Sequence, residues 1–359
     1  DAVQLFADRA RLARASFAVT DDNLASLLSI CRNLEGIPLA IELAAARVGA
    51  IGLAEMASGF ASRLDLAADG PADVVHRLRS VAAAIGWGYE LLEPEVQAVF
   101  RTMAVFDGAF SLAGTRAVIS VVHPDSSEQT GGWWISALQA LIDAQLIQLV
   151  DERRYRMLST IREFGLRQLN SGGERQDAEV GRYRWCLDLA RRSDDALRGD
   201  LSPDLLAEVE SELDNIRAAM KWAVGQSTQG DEREMAVRLA NAMWPFWSYR
   251  GYWSEATDWL ERSVVAAGET VSVPIAVACM YAGHGMPGRT ENNIVWYERS
   301  LQQFRQHGDD QGIAVAIGSL ASAHIQAGHA DSAVALGQEA LDRLIGLDGD
   351  RRASIVTSR

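Results

Sequence analysis

Gly251-Tyr252-Trp253-Ser254-Glu255-Ala256-Thr257-Asp258-Trp259-Leu260-Glu261-Arg262-Ser263-Val264 carries the spacing on which the fold turns. Counted from its glycine, Ala256, Trp259, Leu260, Glu261, Ser263 and Val264 fall at fixed offsets, the apolar ones mostly three and four apart as on one helix face. The same offsets return after Gly288, at Asn293, Trp296, Tyr297, Glu298, Ser300 and Leu301. They return again after Gly328, at Ala333, Leu336, Gly337, Gln338, Ala340 and Leu341. Three matching units predict stacked helix-turn-helix pairs with each glycine as the turn inside a pair. The glycines are 37 and then 40 residues apart.

That spacing predicts a TPR-like α-solenoid over residues 233–359, although the period exceeds the usual value of about 34. Such units bury their apolar faces only against neighbours, so an array that stops at the chain end reads as truncated, as does the start at Asp1 inside an amphipathic stretch. Upstream, residues 175–232 read as a helical connector. Residues 80–170 carry helical patterns at Val81 to Trp87, Val96 to Met103, Leu112 to Val121 and Ile135 to Ala144. Two short apolar runs, Leu146 to Val150 and Tyr155 to Leu158, then flank Asp151-Glu152-Arg153-Arg154 and predict a β-hairpin. Three helices and a hairpin make a winged helix, with Ile161 to Leu169 as a trailing helix and Asn170 to Glu174 as a boundary. Residues 1–79 read as short helices. Thr20-Asp21-Asp22-Asn23 starts one, whose apolar face is Leu24, Leu27, Leu28, Cys31 and Leu34. Gly36 ends it, Pro38 opens the next, and Asp69-Gly70-Pro71 marks a linker. The predicted class is mainly α: a small helical domain, a winged helix with a short hairpin, then the solenoid.

Composition excludes several functions. Lys221 is the only lysine among 359 residues and lies in Met220-Lys221-Trp222, away from any glycine-rich turn, so no Walker A phosphate loop exists here. A formal net charge of -14 opposes a nucleic-acid surface covering the whole molecule. Three distant cysteines (Cys31, Cys186, Cys279) form no disulfide framework or zinc motif, which predicts a reducing cytoplasm. No apolar run reaches the roughly 20 residues of a membrane span. No nucleophile, base or metal set converges in the sequence, so the expectation is a non-enzyme. His324 and His329, five apart, are poorly placed to share one helical face, and no metal site is expected.

The stretch Gly36-Ile37-Pro38-Leu39-Ala40-Ile41-Glu42-Leu43-Ala44-Ala45-Ala46-Arg47 resembles the G-[LI]-P-L-A-[IL] motif of NB-ARC, or STAND-class, signalling ATPases of the bacterial transcriptional-regulator kind. Tyr155-Arg156-Met157-Leu158-Ser159-Thr160-Ile161-Arg162-Glu163-Phe164 resembles the end of that family's winged helix. Glu212-Leu213-Asp214-Asn215-Ile216-Arg217-Ala218-Ala219 resembles the opening of its helical repeats. The resemblance implies the order nucleotide-binding domain, helical domain, winged helix, TPR-like sensor, with the first absent from residues 1–359. It makes Gly36 and Pro38 nucleotide-proximal, while Pro38 read by itself is a first-turn proline. Where eukaryotic relatives carry Met-His-Asp, this chain has Met157-Leu158-Ser159, and Leu158 cannot donate a hydrogen bond to a phosphate.

The helix expected in a DNA groove, about Trp134 to Ala144, offers Ser136, Gln139, Asp143 and Gln145 and no Arg or Lys, which favours a structural winged helix without DNA contact. Gly283-His284-Gly285-Met286-Pro287-Gly288 falls on an inter-helix turn. Met243 to Trp253 is the richest partner-binding candidate, with Tyr249, Arg250 and Tyr252 as its expected exposed contacts. The functional expectation is a non-catalytic regulatory portion. Its repeats would sense a protein or small-molecule inducer, and the winged helix would relay this to a nucleotide switch outside the fragment. The alternative is a self-contained TPR adaptor without nucleotide dependence. No cofactor is expected in this fragment. The resemblance leaves ATP or ADP, and any oligomerisation, to the intact protein.

Overall fold

The computed structural model describes residues 2–34, 36–49, 51–58, 82, 84–124, 132–151, 153–198, 202–226, 230–284 and 290–357. The expected linker Asp69-Gly70-Pro71 and the repeat glycine Gly288 lie outside them. The chain forms two compact units, Asp1–Arg182 and Tyr183–Arg359.

In the first unit, α1 (Ala2–Ala13), α2 (Asp21–Asn33) and α3 (Pro38–Ala45) build the N-terminal helices. The Thr20 backbone N–H donates to Asn23 Oδ1 at 2.9 Å and starts α2 as expected. The buried face of α2 is rotated from the expected one. Leu27, Ile30, Cys31 and Leu34 are buried, while Leu24 and Leu28 are more than one-third exposed, because the packed side faces α1. The next elements are α4 (Pro94–Met103), β1 (Ala109–Ser111), α5 (Leu112–Val122), α6 (Trp133–Asp143), β2 (Gln148–Asp151), β3 (Arg154–Arg156) and α7 (Ser159–Ser171).

The sheet is antiparallel with order β1-β3-β2, so the hairpin gains a third strand that the sequence reading missed. Three residues are too few to show an alternating pattern. Phe110 is buried because it stacks on Phe106, with centroids 4.8 Å apart. The hairpin also starts later than expected. Gln145 takes φ 60° after α6, and Leu146 N–H bonds back to the Leu141 carbonyl at 3.0 Å. This is the helix-ending turn usually made by glycine, and it spends Leu146 and Ile147 on the core instead of the sheet. A single apolar cluster runs from Phe6 to Ala178, so the segments 1–79 and 80–170 share one core.

Arginines close the end of α4. Arg162 of α7 donates from Nε to the carbonyls of Ala104 (3.1 Å) and Phe106 (2.5 Å). Arg182, in α8 (Arg175–Arg198), donates to the Val105 carbonyl at 2.6 Å and pairs with Glu179. Arg182 and Glu179 are 3% and 5% exposed as residues. Arg101 of α4 grips Glu174 bidentately at 2.8 and 2.9 Å.

The second unit continues with α9 (Pro203–Ser211), α10 (Leu213–Gly225) and a 3-10 turn (Gly230–Glu234). It then forms the pairs α11 (Met235–Arg250) with α12 (Trp253–Ala267), α13 (Val273–Gly283) with α14 (Thr290–His307), and α15 (Asp310–Gln326) with α16 (Ala330–Thr357). The expected turn glycines are confirmed at two pairs. Gly251 (φ 77°) and Gly328 (φ 79°) sit in left-handed conformation, and the next residues, Tyr252 and His329, bond back to the carbonyls of Trp247 (2.8 Å) and His324 (2.9 Å). The repeated positions Ala256, Leu260, Val264, Tyr297 and Leu301 are buried as their spacing predicts. Leu341 departs from the pattern at 51% exposed, because α16 packs on α15 but has no described helix beyond it.

Most of the aromatic stretch is core. Met243, Phe246 and Trp247 of α11 are at most 1% exposed. All three cysteines are free and buried.

Candidate functional site

Arg250 ends α11 and Tyr252 precedes α12, so the Gly251 turn sets them side by side. Both reach one carboxylate that sequence reasoning did not single out. Arg250 Nε lies 3.0 Å from Glu210 Oε2, and the Tyr252 hydroxyl donates to Glu210 Oε1. The hydrogen bond to Glu210 raises the Tyr252 phenol above its ordinary range. With Ala207 and Ser211 these three side chains line a recess of about 520 Å³. Tyr249 stands outside that lining and is 54% exposed. Glu210 is one of three glutamates near the end of α9; Glu212, by contrast, is buried and accepts from Asn215 at 2.6 Å.

The recess can hold a small group against a partly neutralised carboxylate. Arg250 also lies over the Phe246 ring at 5.9 Å, a cation–π contact that orients its guanidinium.

The N-terminal candidates take structural positions. Gly36 has φ 68°, and Pro38 is in the first turn of α3, where a missing N–H costs nothing. At the far end of the same motif, Arg47 donates to the Gly88 carbonyl at 2.9 Å, and burial pushes its pKa down. Leu158 caps α7 and is half-buried against the core.

On α6 the outward side chains are Ile135, Ser136, Gln139 and Asp143, with Gln145 just beyond the helix. Gln139 donates to Asp143 at 2.9 Å, and this face presents no cation. Lys221 lies exposed on α10.

A second recess, of about 680 Å³, lies among α13, α14 and α15. It is lined by His284, Asn293, Tyr297, Ser319 and Ser322 among others. Its wall continues into packed rings, Trp244 stacking on Tyr281 at 5.0 Å and His284 meeting Tyr297 edge-on at 5.6 Å. The sequence reading treated Gly283 and His284 as turn only. The rest of that motif, from Gly285 to Gly288, lies outside the described residues.

As their spacing implies, His324 and His329 share no helical face, yet the fold brings them together. They flank a reversing turn rather than share a helix. Among the described residues no group of three or more His, Cys, Asp or Glu is placed to hold a metal ion, and no helix is long and apolar enough to cross a membrane.

No family model matches the chain. It is similar to a protein of Mycobacterium tuberculosis named "Putative HTH-type transcriptional regulator", at 35% identity over 262 residues, and to its counterpart in Mycobacterium bovis at the same identity. That alignment covers 72% of this chain and 28% of the relative, so the chain spans less than a third of the length of these proteins. It is also similar to an uncharacterised protein of Mycobacterium tuberculosis, at 35% identity over 187 residues, covering 51% of this chain and 46% of that one. Among solved structures, a Signal Transduction ATPase with Numerous Domains (STAND) protein with a tetratricopeptide repeat sensor from Pyrococcus horikoshii aligns over 98% of this chain and 61% of its own. The identity is 12% and the TM-score 0.32, too low to bear on the arrangement of the helices.

Proposed function

We propose that residues 1–359 are a non-catalytic regulatory and sensing portion of a STAND-type transcriptional regulator. A partner or ligand bound on the helical repeats is relayed through the winged-helix region to a nucleotide switch outside this segment. The observation that carries this reading is the 35% identity over 262 residues to proteins named as HTH-type transcriptional regulators. The three helix pairs of the second unit supply an extended surface of the kind that repeat proteins use for recognition. Tyr249, Arg250 and Tyr252 are its partner contacts, with Arg250 and Tyr252 offering the Glu210-anchored recess. The winged helix acts as a structural relay, because the outward face of α6 carries no Arg or Lys to anchor on phosphate.

Gly36 and Pro38 lie near the nucleotide in the intact protein, where ADP or ATP would be the switch ligand. The residues present supply no phosphate loop for it, since the sole lysine lies exposed on α10.

The test is a reporter promoter driven by the full-length gene product. Deleting residues 233–359 should uncouple transcription from its inducing condition, and deletion with induction unchanged overturns the sensing role. Purified residues 1–359 should show no ATP turnover above buffer; turnover abolished by Lys221→Ala would refute the non-catalytic assignment.

A further inference from the structure

His324 lies in the last turn of α15 and His329 immediately before α16. The backbone between them is fixed. Gly328 N–H bonds to the Ile325 carbonyl at 3.1 Å, His329 N–H to the His324 carbonyl at 2.9 Å, and the His329 carbonyl accepts from Ala333 at 3.1 Å. The two Nδ1 atoms are consequently 3.2 Å apart, with ring centroids at 5.4 Å and planes at 47°. Neither ring has another hydrogen bond or ring contact among the described residues.

Two neutral imidazoles in this position can share one proton, an exposed hydrogen bond of small net worth. A modest turn of the two exposed rings would also aim both nitrogens at one metal ion. With metal–nitrogen bonds of about 2.0–2.1 Å, nitrogens at this separation subtend about 100° at the metal, between a cis octahedral or square-planar angle and a tetrahedral one. Imidazole nitrogen selects Ni2+, Cu2+ and Zn2+ over the hard ions Mg2+ and Ca2+, which take oxygen ligands.

The geometry points to a two-histidine chelate at His324 and His329 for a divalent transition-metal ion of the Ni2+, Cu2+, Zn2+ group, with water completing the coordination. Its consequence is local. The ion ties the end of α15 to the start of α16 and so braces the turn of the last helix pair. The inference stands apart from the regulatory reading above, since it needs only these two rings and this turn.

Ni2+ is the probe, titrated by calorimetry into the untagged 359-residue chain. One equivalent should bind in the micromolar range. Either His324→Gln or His329→Gln should weaken binding by about tenfold or more, because one imidazole is no longer a chelate, and the double variant should weaken it at least as much. His307→Gln should bind as the parent does. Both histidines reach solvent, so the variants should keep the parent's circular dichroism. Ni2+ binding that survives both single substitutions, that is lost in His307→Gln, or that is absent from the parent overturns the site.

Discussion

Helices α11 and α15 of the second unit and α4 of the first are ended by different means. In the repeats, α11 and α15 are closed locally, by Gly251 and Gly328 in left-handed conformation and hydrogen bonds spanning five residues. In the first unit, the end of α4 is closed by side chains from far along the chain. Arg162 reaches the Ala104 and Phe106 carbonyls, and Arg182 reaches Val105, 77 residues away. In the repeats, a local closure writes itself into the sequence as glycine at a fixed offset. A long-range closure writes only an arginine among many.

The comparison breaks most readily at Arg182. Arg182→Ala removes the nearer of Glu179's two arginine partners, whose pull opposes the rise that burial causes in the Glu179 pKa, and it strips the Val105 carbonyl. We expect a loss of about 3–5 kcal/mol by chemical denaturation, concentrated in the first unit. A loss below about 1 kcal/mol would show that the arginine clamp is incidental.

In the second unit the comparable loss should come from an apolar side chain. Leu260 is fully buried, and Leu260→Ala should cost about 2–5 kcal/mol through the cavity left behind. Arg250→Ala removes a half-exposed pair with Glu210 and should cost below about 1 kcal/mol while weakening partner binding. Equal destabilisation by the two would mean that the Glu210 clamp is structural and that recognition lies elsewhere.

Gly251→Ala tests the local closure itself. A side chain at φ 77° is strained by about 1–2 kcal/mol, and the midpoint of urea unfolding should fall accordingly. The smallest effect has the opposite sign. Gln145 occupies the same left-handed position after α6 without being glycine, so Gln145→Gly should stabilise the first unit by about 0.5–1 kcal/mol. If it destabilises, the Gln145 side chain makes a contribution that outweighs its backbone strain.

These contrasts explain what the sequence made legible. The repeat helices were readable because Ala256, Leu260 and Val264 recur in register with a turn glycine. The α4–α7 helices were readable because each has its own apolar period. Strand β1 was not, since three residues with one buried Phe110 show no alternation and owe their extension to pairing with β3, some 45 residues later. The burial of α2 was misjudged for a related reason. Leu24 and Leu28 fit a helical stripe, but the neighbouring helix decides which part of the stripe is covered.

At the recess, Arg250 and Tyr252 were legible as an aromatic and cationic cluster. Glu210 was not, because a glutamate in an acidic helix looks like solvent-facing charge until the fold sets a turn beside it. The closeness of His324 and His329 was not legible, for the converse reason. Helix geometry keeps residues five apart on different faces, and only the reversal at Gly328 makes them neighbours.

The three cysteines have a practical consequence. Cys31 belongs to the first unit and Cys186 and Cys279 to the second, and all are shielded from solvent. Burial raises the Cys31 thiol and pushes Cys279 up to about 12, so the reactive thiolate is scarce as well as hidden. Each sulfur therefore becomes a clock for its own surroundings. The time an alkylating reagent takes to mark it counts how often that part of the chain breathes open, with no label added and no residue changed.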